Sequence, residues 1–104
     1  MRRPEIVSKI KQTAKEKLPN VQLWLYGSEA RGDAREDSDI DLLLLVDTDS
    51  LSVAQEEELT MPFYLLELQT GVQISPLVMT KKQWEGRNVK TPFYINVMNE
   101  GIRL

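Results

Sequence analysis

Gly27 and Ser28 close a short apolar run, and after ten intervening residues two aspartates, Asp39 and Asp41, stand either side of one isoleucine. Glycine admits a phosphate close to the backbone, and free N–H groups at a helix start attract anions. The Ser28 hydroxyl adds a donor beside them. Side chains alternate faces along a strand, so Asp39 and Asp41 point the same way with their Cα atoms about 7 Å apart, while Ile40 points into the core. Two neighbouring carboxylates repel, and a divalent cation between them relieves that repulsion. Mg²⁺ suits such a pair, because it commonly takes one or two carboxylates together with substrate phosphates. Taken singly, each half has a plain reading: a structural turn at Gly27-Ser28 and solvated carboxylates at a strand start. Arg31 divides in the same way, between a phosphate ligand and an exposed helix arginine.

The elements that must carry these residues follow from periodicity and turn chemistry. Residues 4–18 read as an amphipathic helix, with Ile6, Ile10, Ala14 and Leu18 four apart and Pro4 in its first turn. Val21 to Tyr26 reads as a strand ending at Gly27, after which Ser28 is placed to cap a short helix over residues 29–31. Ile40 to Val46 is nearly all apolar, as in a strand buried on both faces. Residues 47–50 form a turn and N-cap, and residues 51–70 a helix with a break near Pro62. Val72 to Met79 reads as a third strand, which Pro76 places at a sheet edge. Thr80 caps a helix over residues 81–85, and Thr91-Pro92 opens another over residues 93–100. The order implies one α/β (α+β) domain over residues 1–104: a small mixed sheet of three to four strands with helices packed on it.

The 104 residues are room for one domain with a modest core, so a partner or a second copy would share its burial. The sequence contains no cysteine and no histidine. That excludes disulfides, thiolate zinc sites, a cysteine nucleophile, a Ser-His-Asp triad and an imidazole base. The remaining chemistry belongs to carboxylates, hydroxyls, Lys/Arg, backbone groups and hard cations. Net charge is −3, but residues 1–20 balance at +4, residues 21–70 at −10 and residues 71–104 at +3. No apolar run has the length of a signal-peptide core or a membrane span, so a soluble, cytoplasmic protein without membrane contact is expected.

Joined with its context, the segment Gly27-Ser28-x-Ala30-Arg31-Gly32 followed by Ser38-Asp39-Ile40-Asp41-Leu42 resembles the minimal nucleotidyltransferase (MNT) family of the DNA polymerase beta superfamily. The resemblance implies a nucleotidyltransferase-like fold in which Gly27 and Ser28 hold a nucleoside triphosphate. Asp39 and Asp41 would bind the Mg²⁺ that bridges its phosphates, and Arg31 would approach a phosphate. It further implies transfer of a nucleoside monophosphate from an NTP, ATP above all, to a hydroxyl. A HEPN-type helical protein is the partner implied, in toxin–antitoxin style.

One departure from the family pattern bears on activity. A third carboxylate is expected on the following strand, where this chain has Val72-Gln73-Ile74-Ser75-Pro76-Leu77-Val78. Gln73 or Ser75 takes that place, so the alternative is a catalytically impaired, antitoxin-like module that binds nucleotide or a partner. Glu67 lies in the preceding helix, and Asp47 is eight residues from Asp39, roughly 26 Å along an extended strand. Trp24 and Tyr26 read as core or pocket wall. Lys81, Lys82, Arg87 and Lys90 around Trp84 read as a solvated helix rather than a nucleic-acid surface. Phe63, Tyr64, Leu65, Leu66 and Leu68 offer one helix more apolar area than a single buried stripe uses, so part of it is expected to form an interface.

Overall fold

Proline at the first position and four buried apolar residues on one face (Ile6, Val7, Ile10 and Ala14) define helix α1, Pro4–Lys17. The computed structural model describes residues 3–86 and 90–104, so Arg87 of the basic stretch lies outside the described residues. After α1 come β1 (Gln22–Tyr26), α2 (Gly27–Arg31) and β2 (Ile40–Val46). The chain continues through α3 (Val53–Thr70), β3 (Ile74–Thr80), α4 (Lys81–Glu85), α5 (Pro92–Glu100) and β4 (Ile102–Arg103).

The sheet order is β3-β2-β1-β4. β1 runs antiparallel to both β2 and β4, whereas β2 and β3 are parallel and joined through α3. A parallel pair needs such a crossover, since a tight hairpin cannot reverse the chain twice. β2 is the hub. Its Ile40, Leu42 and Leu44 pack with α1 and the α3 residues Phe63 and Leu66 on one face. Its Leu43 and Leu45 pack with Trp84 of α4 and Val97 of α5 on the other. The continuous apolar run of β2 is thus explained by helices on both sides. Among the described residues, no helix is long and apolar enough to cross a membrane.

Some details differ from the sequence expectation. The α3 N-cap is Ser52, whose hydroxyl accepts from Gln55 N–H while the Gln55 side chain accepts from Ser52 N–H. This reciprocal pair outcompetes the Asp47–Ser50 turn as a helix start. α3 also runs through Pro62 as one helix; the burial of Phe63 and Leu66 just beyond it offsets the missing backbone bond. β3 starts at Ile74 rather than Val72, because Glu67 Oε1 reaches back to accept from Ile74 N–H at 2.8 Å. Finally, β4 is a two-residue edge strand, too short to leave a periodic signal.

Candidate functional site

The turn and the two aspartates meet at one end of the sheet because of strand register. Tyr26, the last residue of β1, lies opposite Asp41, the second residue of β2. Gly27 follows with φ of 75°, the left-handed region that glycine tolerates best. A Cβ on Gly27 would overlap Asp41 Oδ2. Glycine is therefore required twice there, by its backbone angle and by the carboxylate lying over it. The helix begins at Gly27 itself, with Tyr26 as an extended N-cap and no side-chain cap. Ser28 is accordingly not the cap that the sequence suggests. It stands inside the first turn, where backbone N–H groups lack helical acceptors.

Asp39 lies two residues before Asp41 and, by strand alternation, on the same face. That face is the one carrying α4 and α5, since Asp41 shares the parity of Leu43 and Leu45. Asp41 is half-buried. Its carboxyl is held above the ordinary aspartate range, first by desolvation and then by the charge of Asp39, with Arg31 partly opposing. The Tyr26 hydroxyl is also raised, by burial and then by Asp41. Its ring meets Phe93 edge-on at 5.2 Å. Trp24, half-buried on the same face, donates from Nε1 to Gln22 Oε1 at 2.8 Å. Both aromatics pack against the cluster of Leu43, Leu45, Trp84 and Val97, and Tyr26 adds a hydroxyl that feels the Asp41 charge.

On β3, Ser75 is the register partner of Asp41, and its Oγ donates to Asp39 Oδ2 at 3.1 Å. Gln73 contributes only its carbonyl, which accepts from Ile40 N–H at 2.9 Å. Ser75 is thus the β3 side chain that faces the aspartates, and it brings no charge. Glu67 is engaged at the start of β3, while Asp47 lies beyond the far end of β2. Among the described residues no group of three or more acidic or other ligating side chains is poised for a metal. Two carboxylates on one face would fit a Mg²⁺ ion that takes its other ligands from water and substrate phosphate.

Arg31, exposed at the end of α2, pairs with Asp33 at 3.3 Å and with Glu100 of α5 at 3.4 Å. Solvent-exposed pairs of this length are worth little and are easily exchanged for a stronger anion. Of the basic stretch, Lys90 lies over the Tyr94 ring at 4.5 Å and donates to the Glu85 carbonyl at 3.3 Å. A groove of about 610 Å³ lies elsewhere, between α1 and α3.

Behind the turn lies a buried ion pair that no spacing rule announces. Glu29 of α2 is fully buried; its Oε1 accepts from Arg3 Nε at 2.7 Å and its Oε2 from Arg3 N–H at 2.8 Å. Arg3 Nη1 also donates to the Glu36 carbonyl at 3.4 Å, and buried Ala34 pins the same loop. Arg3 therefore ties α2 to the loop that delivers Asp39. Within that loop, Arg35 N–H donates to Ser38 Oγ and Ser38 N–H to the Arg35 carbonyl.

Residues 7–104 match the nucleotidyltransferase domain family. A Methanocaldococcus jannaschii protein named "Putative protein adenylyltransferase" is 31% identical over 100 residues, covering 96% of this chain and 92% of its own. The fold is similar to a solved "putative minimal nucleotidyltransferase", with a TM-score of 0.66 and 23% identity over 100% of this chain and 97% of that one. It is similar also to a toxin–antitoxin crystallised with AMP-PNP, with a TM-score of 0.62 and 22% identity over 92% of this chain and 69% of that one.

Proposed function

This chain belongs to the nucleotidyltransferase domain family, and on that basis we propose that it binds ATP with Mg²⁺ and transfers AMP to a protein hydroxyl. The observation that carries the reading is the contact of Gly27 with Asp41, which joins an anion-accepting turn to a carboxylate pair. Asp39 and Asp41 hold the metal, and Gly27, Ser28 and Arg31 receive the phosphates. A metal held there by Asp39 and Asp41 would supply charge neutralisation at the phosphates. In the transfer, the acceptor oxygen bonds to the α-phosphorus and gives up its hydroxyl proton to solvent, the bond from that phosphorus to the bridging oxygen breaks, and pyrophosphate leaves with those bonding electrons.

The chain's own groups serve that displacement by position. The first turn of α2 offers N–H donors, Ser28 a hydroxyl, and Arg31 a guanidinium that gives up Asp33 and Glu100 for phosphate oxygens. The curated relative's name supports a protein acceptor, and the toxin–antitoxin neighbour supports a nucleotide and a partner chain. A HEPN-type helical protein is the acceptor proposed. The whole of residues 1–104 acts as one domain in this reading. Incubation with ATP labelled at the α-phosphate, Mg²⁺ and a HEPN-type partner should label the partner, and Asp39→Asn with Asp41→Asn should abolish the label.

A second reading rests on Ser75, which faces Asp39 without a charge. In it the domain binds nucleotide with Mg²⁺ and regulates its partner by association, without transfer. Calorimetric binding of ATP with no label on any partner supports this version.

A further inference from the structure

Helix α2 carries the Gly27-Ser28 turn, yet at five residues it is too short to hold its place by its own backbone bonds. The side chain it buries fully is a carboxylate, that of Glu29, next to Ser28. Both oxygens of that carboxylate accept from one residue outside the helix: Oε1 from Arg3 Nε and Oε2 from the Arg3 backbone N–H. Arg3 is itself fixed, because its carbonyl accepts from the N–H groups of Ile6 and Val7 at the start of α1. Ile6 and Val7 are buried in one core with Leu42 and Leu44 of β2. The turn is thus tied to the core through Arg3.

Stability does not explain this choice of residues. A buried ion pair contributes little beyond offsetting its own desolvation. Arg3 Nη2, also buried, has no partner among the described residues, and an unmade hydrogen bond of that kind is unfavourable. What an arginine supplies is a planar fork of fixed geometry. One arm, Nε, holds Glu29, and another, Nη1, donates to the Glu36 carbonyl in the loop before Asp39. We propose that Arg3 is a positioning residue for the nucleotide site. Through Glu29 it sets the Gly27-Ser28 turn, and through Glu36 the approach to Asp39, a role that rests on the nucleotide reading of both. With 8% of its surface exposed, Arg3 acts through these neighbours rather than on substrate.

The test compares the parent chain with Arg3→Lys and with Arg3→Met/Glu29→Leu, at a temperature where circular dichroism shows each folded. The apolar pair leaves no charge in the core but sets no direction for the turn or the loop. An ammonium can pair with Glu29 but cannot fork to Glu36 as well. Calorimetry of ATP with Mg²⁺ should give a dissociation constant raised about tenfold or more in the apolar double variant, with Arg3→Lys recovering part of that loss. Amide hydrogen exchange at residues 28–38 should quicken in the double variant. Ile10→Val, a core substitution in α1, is the control: it should lower the melting temperature and leave both the ATP affinity and that exchange unchanged. A parent chain that fails to bind ATP with Mg²⁺ overturns the nucleotide reading itself. If the parent binds and the double variant binds equally well, or its residues 28–38 exchange at the parental rate, the positioning role is overturned while that reading stands. Loss of ATP affinity in Ile10→Val overturns the role too, because affinity then follows stability alone.

Discussion

Ser75 Oγ donates a hydrogen bond to Asp39 Oδ2 across 3.1 Å, from the strand position that lies beside Asp41. A neutral hydroxyl therefore stands where a further carboxylate would complete an acidic triad. Ser75→Asp should lower the melting temperature without metal, because three carboxylates then crowd one sheet end. It should also increase the melting shift produced by Mg²⁺, since binding to the folded state stabilises in proportion to affinity. Ser75→Ala should change stability by about 1 kcal/mol or less, the worth of one ordinary hydrogen bond. Thermal melts with and without Mg²⁺ compare the three chains.

Gly27 holds a positive φ under Asp41 Oδ2. Gly27→Ala should destabilise the fold by about 1–3 kcal/mol from backbone strain, with more added as Asp41 is pushed aside. Urea unfolding gives the stability change. Calorimetry with ATP and Mg²⁺ should show weakened binding even at temperatures where the variant is folded.

Burial and Asp39 raise the Asp41 pKa, and the sign of the stability effect follows. A carboxyl whose folded pKa exceeds its unfolded value favours folding while protonated and loses that advantage as pH rises through the folded pKa. Ionised Asp41 therefore costs stability at neutral pH. Asp41→Asn should raise the metal-free melting temperature at pH 7 by about 1–4 °C, a figure kept small because the group is only half-buried. Below the unfolded aspartate pKa the gain should vanish. A gain that persists unchanged at low pH would assign the effect to packing instead.

Arg3 and Glu29 form a buried pair with both carboxylate oxygens occupied. Removing one partner leaves a charge in the core, so Glu29→Leu or Arg3→Met alone should cost about 3–5 kcal/mol. Arg3→Met combined with Glu29→Leu should recover only part of that loss: no charge is left in the core, but the backbone N–H of residue 3 loses the Glu29 oxygen it donates to. Denaturant midpoints of the three variants give the double-mutant cycle.

Much of this architecture was legible from residue order. The unbroken run Ile40–Val46 announced a strand covered on both faces, Pro76 announced an edge, and Gly27-Ser28 with Asp39 and Asp41 announced the sheet end where they meet. What escaped was non-local. Nothing within the spacing of Arg3 and Glu29 reveals that residues 26 apart are paired, and an acidic residue in a short helix reads as solvated. The facing of Tyr26 and Asp41 depends on antiparallel register, which the long loop between β1 and β2 leaves undetermined. Ser75 and Gln73 were equally placed to stand in for the third carboxylate until the parallel pairing of β2 with β3 set Ser75 beside Asp41. Local competition misled at α3 and α2: Ser52 and Gln55 form a better cap than the preceding turn, and the helix after β1 starts one residue before Ser28.

In the proposed function, Asp39, Asp41 and the Gly27-Ser28 turn act as one metal-dependent nucleotide site. Isothermal titration of ATP into the parent chain and the Asp39→Asn/Asp41→Asn variant, each with Mg²⁺ and with EDTA, tests it most directly. Binding to the parent chain should be saturable, need Mg²⁺ and be lost in the folded variant. Equal ATP affinity in parent and variant, or binding to the parent chain indifferent to EDTA, would contradict it.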